Sequence, residues 1–301
     1  MQRGREPEDV VPGDAAEAVW EFTVEAVATP DGAWDFRGVV VLGPLSETEL
    51  SLQAVQRRDR ALLFGGWRGR TRPQISADGR ETARFLSPVA GGLVDLFTLV
   101  GVAGCMEVGI ERLISASDRR LRTEFSVQCT GAWRAPWLSE AMDADPRAVQ
   151  RLAVALKDYH WAAVTPYWGR INQHLDGEVA RCARLIVEGG VGALLDGLRP
   201  MAVWKSPVLE IPGYRPLIYP ETDFYLSGRS LLLAPSVFCG PVPQLFAEPQ
   251  IETVVMVYPA LNNPVDEAAL LLLRPIRARP MPQCGRLSQP SWAAPGQSCC
   301  A

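Results

Sequence analysis

The chain has 301 residues, 48% of them hydrophobic and 21% charged, a composition that suits one large globular domain or two ordinary ones and excludes a fibrous or compositionally disordered protein. No run of roughly 18 uncharged apolar residues occurs, and the acidic N-terminal stretch lacks the apolar centre of a signal peptide, so a cytoplasmic protein without a membrane partner is expected. The net charge of −4 argues against a stand-alone nucleic-acid binder, which needs a basic face, and the basic stretches at 57–72 and 119–122 read as solvated surface.

Residues 1–40 form a poorly defined segment: 20–27 suit a strand or a short helix, and Pro30-Asp31-Gly32 suits a turn. From 41 to 200 the pattern is mainly helical. Ser46-x-x-Glu49 has the spacing of a capping box, with Leu50, Ala54 and Val55 on one helical face behind it. Phe64-Gly65-Gly66-Trp67 reads as a break, and 68–90 reads as loop. Helix-spaced apolar residues return at 106–114 and 121–127. Asp145 followed by Pro146 is the best helix start in the chain, because a proline at the first helical position gives up an N–H that has no partner there. Val149, Leu152, Leu156, Tyr159 and Ala163 continue that face, and Pro166 should end or kink the helix. A further helix carries Ile171, Leu175, Val179, Cys182 and Ile186; Gly189-Gly190 should stop it, and a short helix should follow up to Pro200.

Between 201 and 273 the pattern changes to short strands, at 203–204, 208–211, 224–226, 230–233 and 253–258, with a final short helix. Leu226-Ser227-Gly228-Arg229 reads as a hairpin turn. The class expected is α+β, helices packed on a small antiparallel sheet. From Arg274 to the end, five prolines, three cysteines and no acidic residue leave neither periodicity, and a disordered tail is expected. A shifted reading frame and a natural tail both fit it.

The usual constellations of catalysis are missing from the sequence. His160 and His174 lack zincin spacing, and neither a nucleophile elbow nor a phosphate-binding P-loop occurs. Gly190-Val191-Gly192 follows a helix rather than a strand. Cys105, Cys129, Cys182 and Cys239 read as small buried hydrophobes without metal spacing, so neither a metal, a cofactor nor an enzyme is expected. One cluster is richer. Tyr159, His160, Tyr167 and Trp168, with Trp204 soon after, combine apolar bodies with polar tips and could line a ligand pocket. The same rings equally suit the core of a helix–sheet junction.

Several stretches carry a family likeness: LGPLSETELSL from Leu42, LFGGW ending at Trp67, GGLVDLFTL ending at Leu99, Tyr159-His160 with Tyr167-Trp168, GGVGALL from Gly189, LLLAPSVF from Leu231 and VYP ending at Pro259. In their order and spacing the chain resembles ArsR-like winged helix-turn-helix transcriptional regulators of the actinobacterial, Streptomyces type. The resemblance implies a homodimer, a long N-terminal region that senses a small-molecule effector, and a C-terminal module that reads promoter DNA. That module should begin near Leu270, where the chain turns proline-rich instead. No DNA-contacting residue is therefore identifiable, and direct DNA binding by this chain is in doubt. The expectation is the effector and dimerisation part of such a regulator with DNA recognition lost or impaired; a small-molecule-binding or oligomerisation protein without DNA binding is the alternative.

Overall fold

The first helix of the chain is wrapped on all sides. In the computed structural model, which describes residues 21–25, 36–88, 93–126, 134–212, 223–247, 252–260 and 271, α1 (Pro44–Gln56) buries every residue from Pro44 to Leu52. A helix covered all round has no amphipathic stripe to read. Around it lie α2 (Ala61–Thr71), α3 (Ala77–Leu86), α4 (Leu96–Val100), α5 (Met106–Ile114) and α8 (Pro146–Ala163). Two shorter helices, α6 (Asp118–Ser126) and α7 (Trp137–Met142), complete this layer.

The start of α1 is not a capping box. Its N-cap is Gly43, at φ 103°, with Pro44 inside the first turn and no side-chain cap. Only glycine fits there, since a Cβ would lie 1.9 Å from the Ala103 carbonyl oxygen. Ser46 and Glu49, read from sequence as the reciprocal cap, lie within the helix, and Glu49 accepts from Leu96 N at 3.1 Å instead. The polar residues of α1 each bind a different neighbour. Ser51 Oγ pairs with Tyr159 Oη at 3.0 Å, and the Glu47 carboxylate accepts from Val237 N and Phe238 N, both at 3.3 Å.

Two further expectations are corrected nearby. The Phe64–Trp67 stretch does not break a helix; α2 runs through Gly65 and Gly66, because Leu63, Phe64 and Trp67 bury one face of it. Residues 68–90 are not loop throughout; α3 occupies 77–86, capped by Ser76, whose Oγ accepts from Gly79 N at 3.0 Å. Other local signals hold. Asp145 caps α8 by accepting from Arg147 N and Ala148 N at 3.0 and 2.9 Å. Pro166 sits in a single 3-10 turn, Thr165–Tyr167, between α8 and α9 (Trp168–Asp196). Within α9, Gly190 leaves helical geometry at φ 74°, ψ −172°, so the glycine pair does interrupt the helix.

The strands form two four-stranded sheets, giving the α+β class. One has the order β3-β4-β1-β5, from Val203–Lys205, Val208–Pro212, Glu21–Glu25 and Asp223–Tyr225. The other has the order β2-β6-β8-β7, from Phe36–Val39, Ser230–Ser236, Thr253–Pro259 and Gln244–Phe246. The pairing is mixed rather than antiparallel throughout: β6 runs parallel to both β2 and β8. Both sheets also draw strands from the first 40 residues. The 226–229 turn joins β5 of one sheet to β6 of the other, so it is not a hairpin. The tail from Arg274 onward lies outside the described residues.

All seven residues of β6 and of β8 are buried. Their side chains alternate between two cores. Leu232, Ala234, Val255 and Val257 join the helical core around α1, while Leu231, Leu233, Val254, Met256 and Tyr258 join a second core. That second core lies against Leu209, Ile211 and Phe224 of the other sheet and Leu194 and Leu195 of α9. Central parallel strands covered on both faces read as unbroken apolar runs, as these do.

Candidate functional site: an arginine-lined cleft

The aromatic residues singled out in the sequence come together only in part: Tyr159, His160, Tyr167 and Trp168 share one core, and Trp204 belongs to another. Tyr159 and His160 are buried against α1 in the helical core. Thr48 has one hydroxyl hydrogen, and it donates that to Pro44 O at 2.6 Å. His160 Nδ1, 2.7 Å from the same hydroxyl oxygen, must then be the donor, which fixes the tautomer. Burial lowers the His160 pKa to about 4, so the ring stays neutral. Tyr167 is buried in the same core, its hydroxyl accepting from Arg70 Nε at 3.0 Å, and Trp168 packs on that core's edge. Trp204 lies in the second core, beside Gly192. Trp168 and Gly192 are 24 residues apart on α9, about 36 Å along a helix axis. A pocket shared by Tyr159, Tyr167, Trp168 and Trp204 is therefore corrected: the rings serve two cores at opposite ends of one long helix.

An open cavity of about 410 Å³ lies elsewhere, between the C-terminal end of α1, the turn after α2, and α3. Its floor is Val55, Ile75 and Ala83, and its rim carries Arg58, Arg72, Arg80 and Arg84. Gln56 closes one side and ties the walls together, its Nε2 reaching Leu52 O, Ala83 O and Ser87 O at 2.8–2.9 Å. The arginines are oriented by backbone. Arg72 caps the end of α1, donating from Nε to Val55 O at 2.8 Å and from Nη2 to Arg57 O at 3.0 Å. The unpaired carbonyls there carry the negative end of the helix dipole, so a cation is favoured. Arg80 Nη1 donates to Ile75 O at 2.6 Å. Arg84 pairs with Glu81. Arg58 makes no hydrogen bond or ion pair among the described residues, and its side chain is exposed.

No carboxylate among the described residues lines the cavity. Glu81, the partner of Arg84, is committed elsewhere as well, since it also accepts from Arg134 N at 2.5 Å and Ala135 N at 3.2 Å. Burial works to raise its pKa, but those backbone donors and Arg84 outweigh it and hold the carboxyl below its usual value. Each guanidinium has five N–H donors, so most of the donor capacity on the rim is unspent.

No family model matches the chain, and neither a curated protein nor a solved structure does.

The basic stretch 57–72, read from sequence as solvated surface, is so in part, with Arg58 and Arg72 exposed, but several of its guanidiniums bind the chain's own backbone. Arg68 is 5% exposed and donates to Ala54 O at 2.7 Å and Asp59 O at 2.5 Å. Arg60 binds Cys239 O at 2.9 Å, and Arg70 binds Tyr167 and the Leu271 carbonyl. Only Arg58 and Arg72 of that stretch face the cleft. Sequence reading missed the site because Arg80 and Arg84 are neighbours only on a helix, and their segment reads as loop. The three described cysteines, Cys105, Cys182 and Cys239, are buried, and no group of three or more potential metal ligands occurs among the described residues. No helix among them is long and apolar enough to cross a membrane.

Proposed function

We propose that this chain is a non-enzymatic sensing module, the effector-binding and dimerisation part of a transcriptional regulator of the ArsR-like class, and that the arginine cleft receives its effector. The observation that carries the binding role is the pairing of four guanidiniums with an apolar floor in a cavity of about 410 Å³. That volume falls in the usual range for small-molecule sites, and the lining offers few polar groups of one sign over an apolar surface. The role in regulation rests on the family resemblance of the sequence. Burial supports the absence of catalysis: it keeps His160 neutral, and it pushes the Cys239 thiol well above its normal pKa.

The cleft is placed to report occupancy. Its wall includes the end of α1, the helix on which the first core is assembled, and a ligand matters to a regulator only if it favours one arrangement over another. A thermal-shift screen of small organic anions tests the reading, run on the full chain and on an Arg58→Ala, Arg80→Ala double variant. An anion that raises the wild-type midpoint but not that of the variant supports it; a screen in which every stabilising anion acts equally on both removes the cleft as the sensing site. Sedimentation at micromolar concentration tests the dimer. A gel shift on the gene's own promoter separates a regulator from the alternative, a plain binding protein.

A further inference from the structure

We infer that the cleft selects a dianionic phosphate monoester carrying a compact apolar body, an inference that rests on the cleft being the ligand site. Three features point to that class. The first is the number of cations. Arg58, Arg72, Arg80 and Arg84 converge on one cavity, and among the described residues only Arg84 of the four pairs with a carboxylate. A single carboxylate is satisfied by one bidentate arginine. Three uncompensated guanidiniums call for more negative charge and more acceptor atoms, which a phosphate supplies with its three terminal oxygens.

The second feature is the kind of cation. All four are arginines, whose planar forks address the separate oxygens of one phosphate from different sides; lysines would provide only point charges. Arg72 and Arg80 are held by carbonyls at their inner edges, through Val55 O and Ile75 O, so their remaining N–H groups are positioned before any ligand arrives. The third feature is the floor. Val55 and Ile75 are buried aliphatic side chains beneath the rim, and no aromatic residue among the described ones lines the cavity. A body that is apolar and compact fits this floor, whereas a nucleobase would find no ring to stack on.

The setting strengthens the selection. The chain as a whole is acidic, with a net charge of −4, so a cationic cleft is a local exception that concentrates anions where the remaining surface does not. The open mouth keeps the guanidiniums partly hydrated, so the attraction should weaken with salt.

The experiment is calorimetric titration of the full chain at pH 8 with phenyl phosphate, benzoate, phenol and inorganic phosphate. At that pH phenyl phosphate is a dianion, benzoate a monoanion and phenol mostly neutral. Phenyl phosphate should bind at least about tenfold more tightly than benzoate, because a second charge meets further guanidiniums. It should also exceed inorganic phosphate, and phenol should give no heat. Arg58→Ala, which removes an exposed side chain with no structural bond among the described residues, should weaken phenyl phosphate by about fivefold or more while leaving the melting midpoint unchanged. Benzoate binding as tightly as phenyl phosphate, with the same sensitivity to Arg58→Ala, would overturn the phosphate selection and leave the cleft as an anion site. Inorganic phosphate binding as tightly as its ester would overturn the apolar body. Failure of every anion to bind would remove this inference and the sensing cleft together. Duplex DNA that displaces phenyl phosphate competitively would make the arginines a backbone-phosphate track and overturn a small-molecule ligand.

Discussion

Glu47 is a fully buried carboxyl group at the start of α1. Burial pushes its pKa from 4.5 to about 7, against the lowering effect of Ser236 and the Phe238 and Val237 amides. The folded chain therefore holds this proton more tightly than the unfolded chain. The resulting stability is fully present below about pH 4.5 and is lost as pH rises through about 7. Integrated over that window the effect is on the order of 3 kcal/mol. Glu49, raised by burial and then by Asp95, acts with the same sign. His160 acts with the opposite sign: its stability is present above 6.5 and is lost as pH falls through about 4. Glu47→Gln resembles the protonated acid, so urea unfolding should find the variant near wild type at pH 5 and more stable by up to about 3 kcal/mol at pH 8. An equal difference at both pH values would mean that Glu47 titrates normally. Arg68 is the other residue to test. Arg68→Met leaves Ala54 O and Asp59 O without their donor and should lower stability by about 2 kcal/mol, read from the shift in urea midpoint. Sequence reading picked out Tyr159 and His160 but not what they do, because their partners, Ser51 and Thr48, lie 108 and 112 positions earlier. The Asp145 cap was legible because its whole chemistry lies within three residues.

Among the elements, α9 contributes to both cores, as the two faces of β6 and β8 do. Ile171 and Leu175 pack in the first, and Cys182, Leu194 and Leu195 pack in the second. Between them Glu178 accepts from Tyr258 Oη at 3.1 Å and pairs with Arg181 at 2.7 Å, which ties the helix to β8. The break at Gly190 redirects the last turns toward the second core. Its φ of 74° and ψ of −172° lie in a region open essentially to glycine alone. Gly190→Ala should lower stability by about 1–3 kcal/mol although no atom lies within 4 Å of the added carbon, since the penalty is conformational. Gly192→Ala, two residues on and with only Trp204 Nε1 at 3.8 Å, is the matched control and should change stability little. Thermal unfolding of the pair distinguishes strain from a general loss of glycine. The glycine pair and Pro166 were readable because each acts on its own stretch of backbone. The pairing of β2 with β6, and of β1 with β5, was not, because those partners lie about 190 residues or more away in the chain and short strands carry no mark of their neighbours.

For the whole molecule, the charge balance bears on DNA. The net charge is −4, and a cleft of four guanidiniums can neutralise only a few phosphates of a duplex. The chain should therefore bind duplex DNA weakly at physiological salt, and fluorescence anisotropy with a promoter fragment checks it; tight, sequence-specific binding would mean that a DNA-reading surface exists which the cleft and the basic stretch do not provide. The α+β class was legible because the change from helical to strand pattern near residue 200 is abrupt. That α1 is central was not, because a helix buried on every side shows no periodic contrast, and its two glutamates and three hydroxyl residues break up the apolar pattern of a core helix. The burial of α1 has a kinetic consequence. Its amides from Glu47 to Leu52 donate within a stretch that is buried throughout and that five other helices enclose, so no local fraying can expose them. Deuterium should enter those positions only when the chain opens globally, which makes them the slowest-labelled segment of the protein. A ligand in the cleft at the far end of α1 should then slow labelling of the whole helix together rather than protect the cleft residues alone.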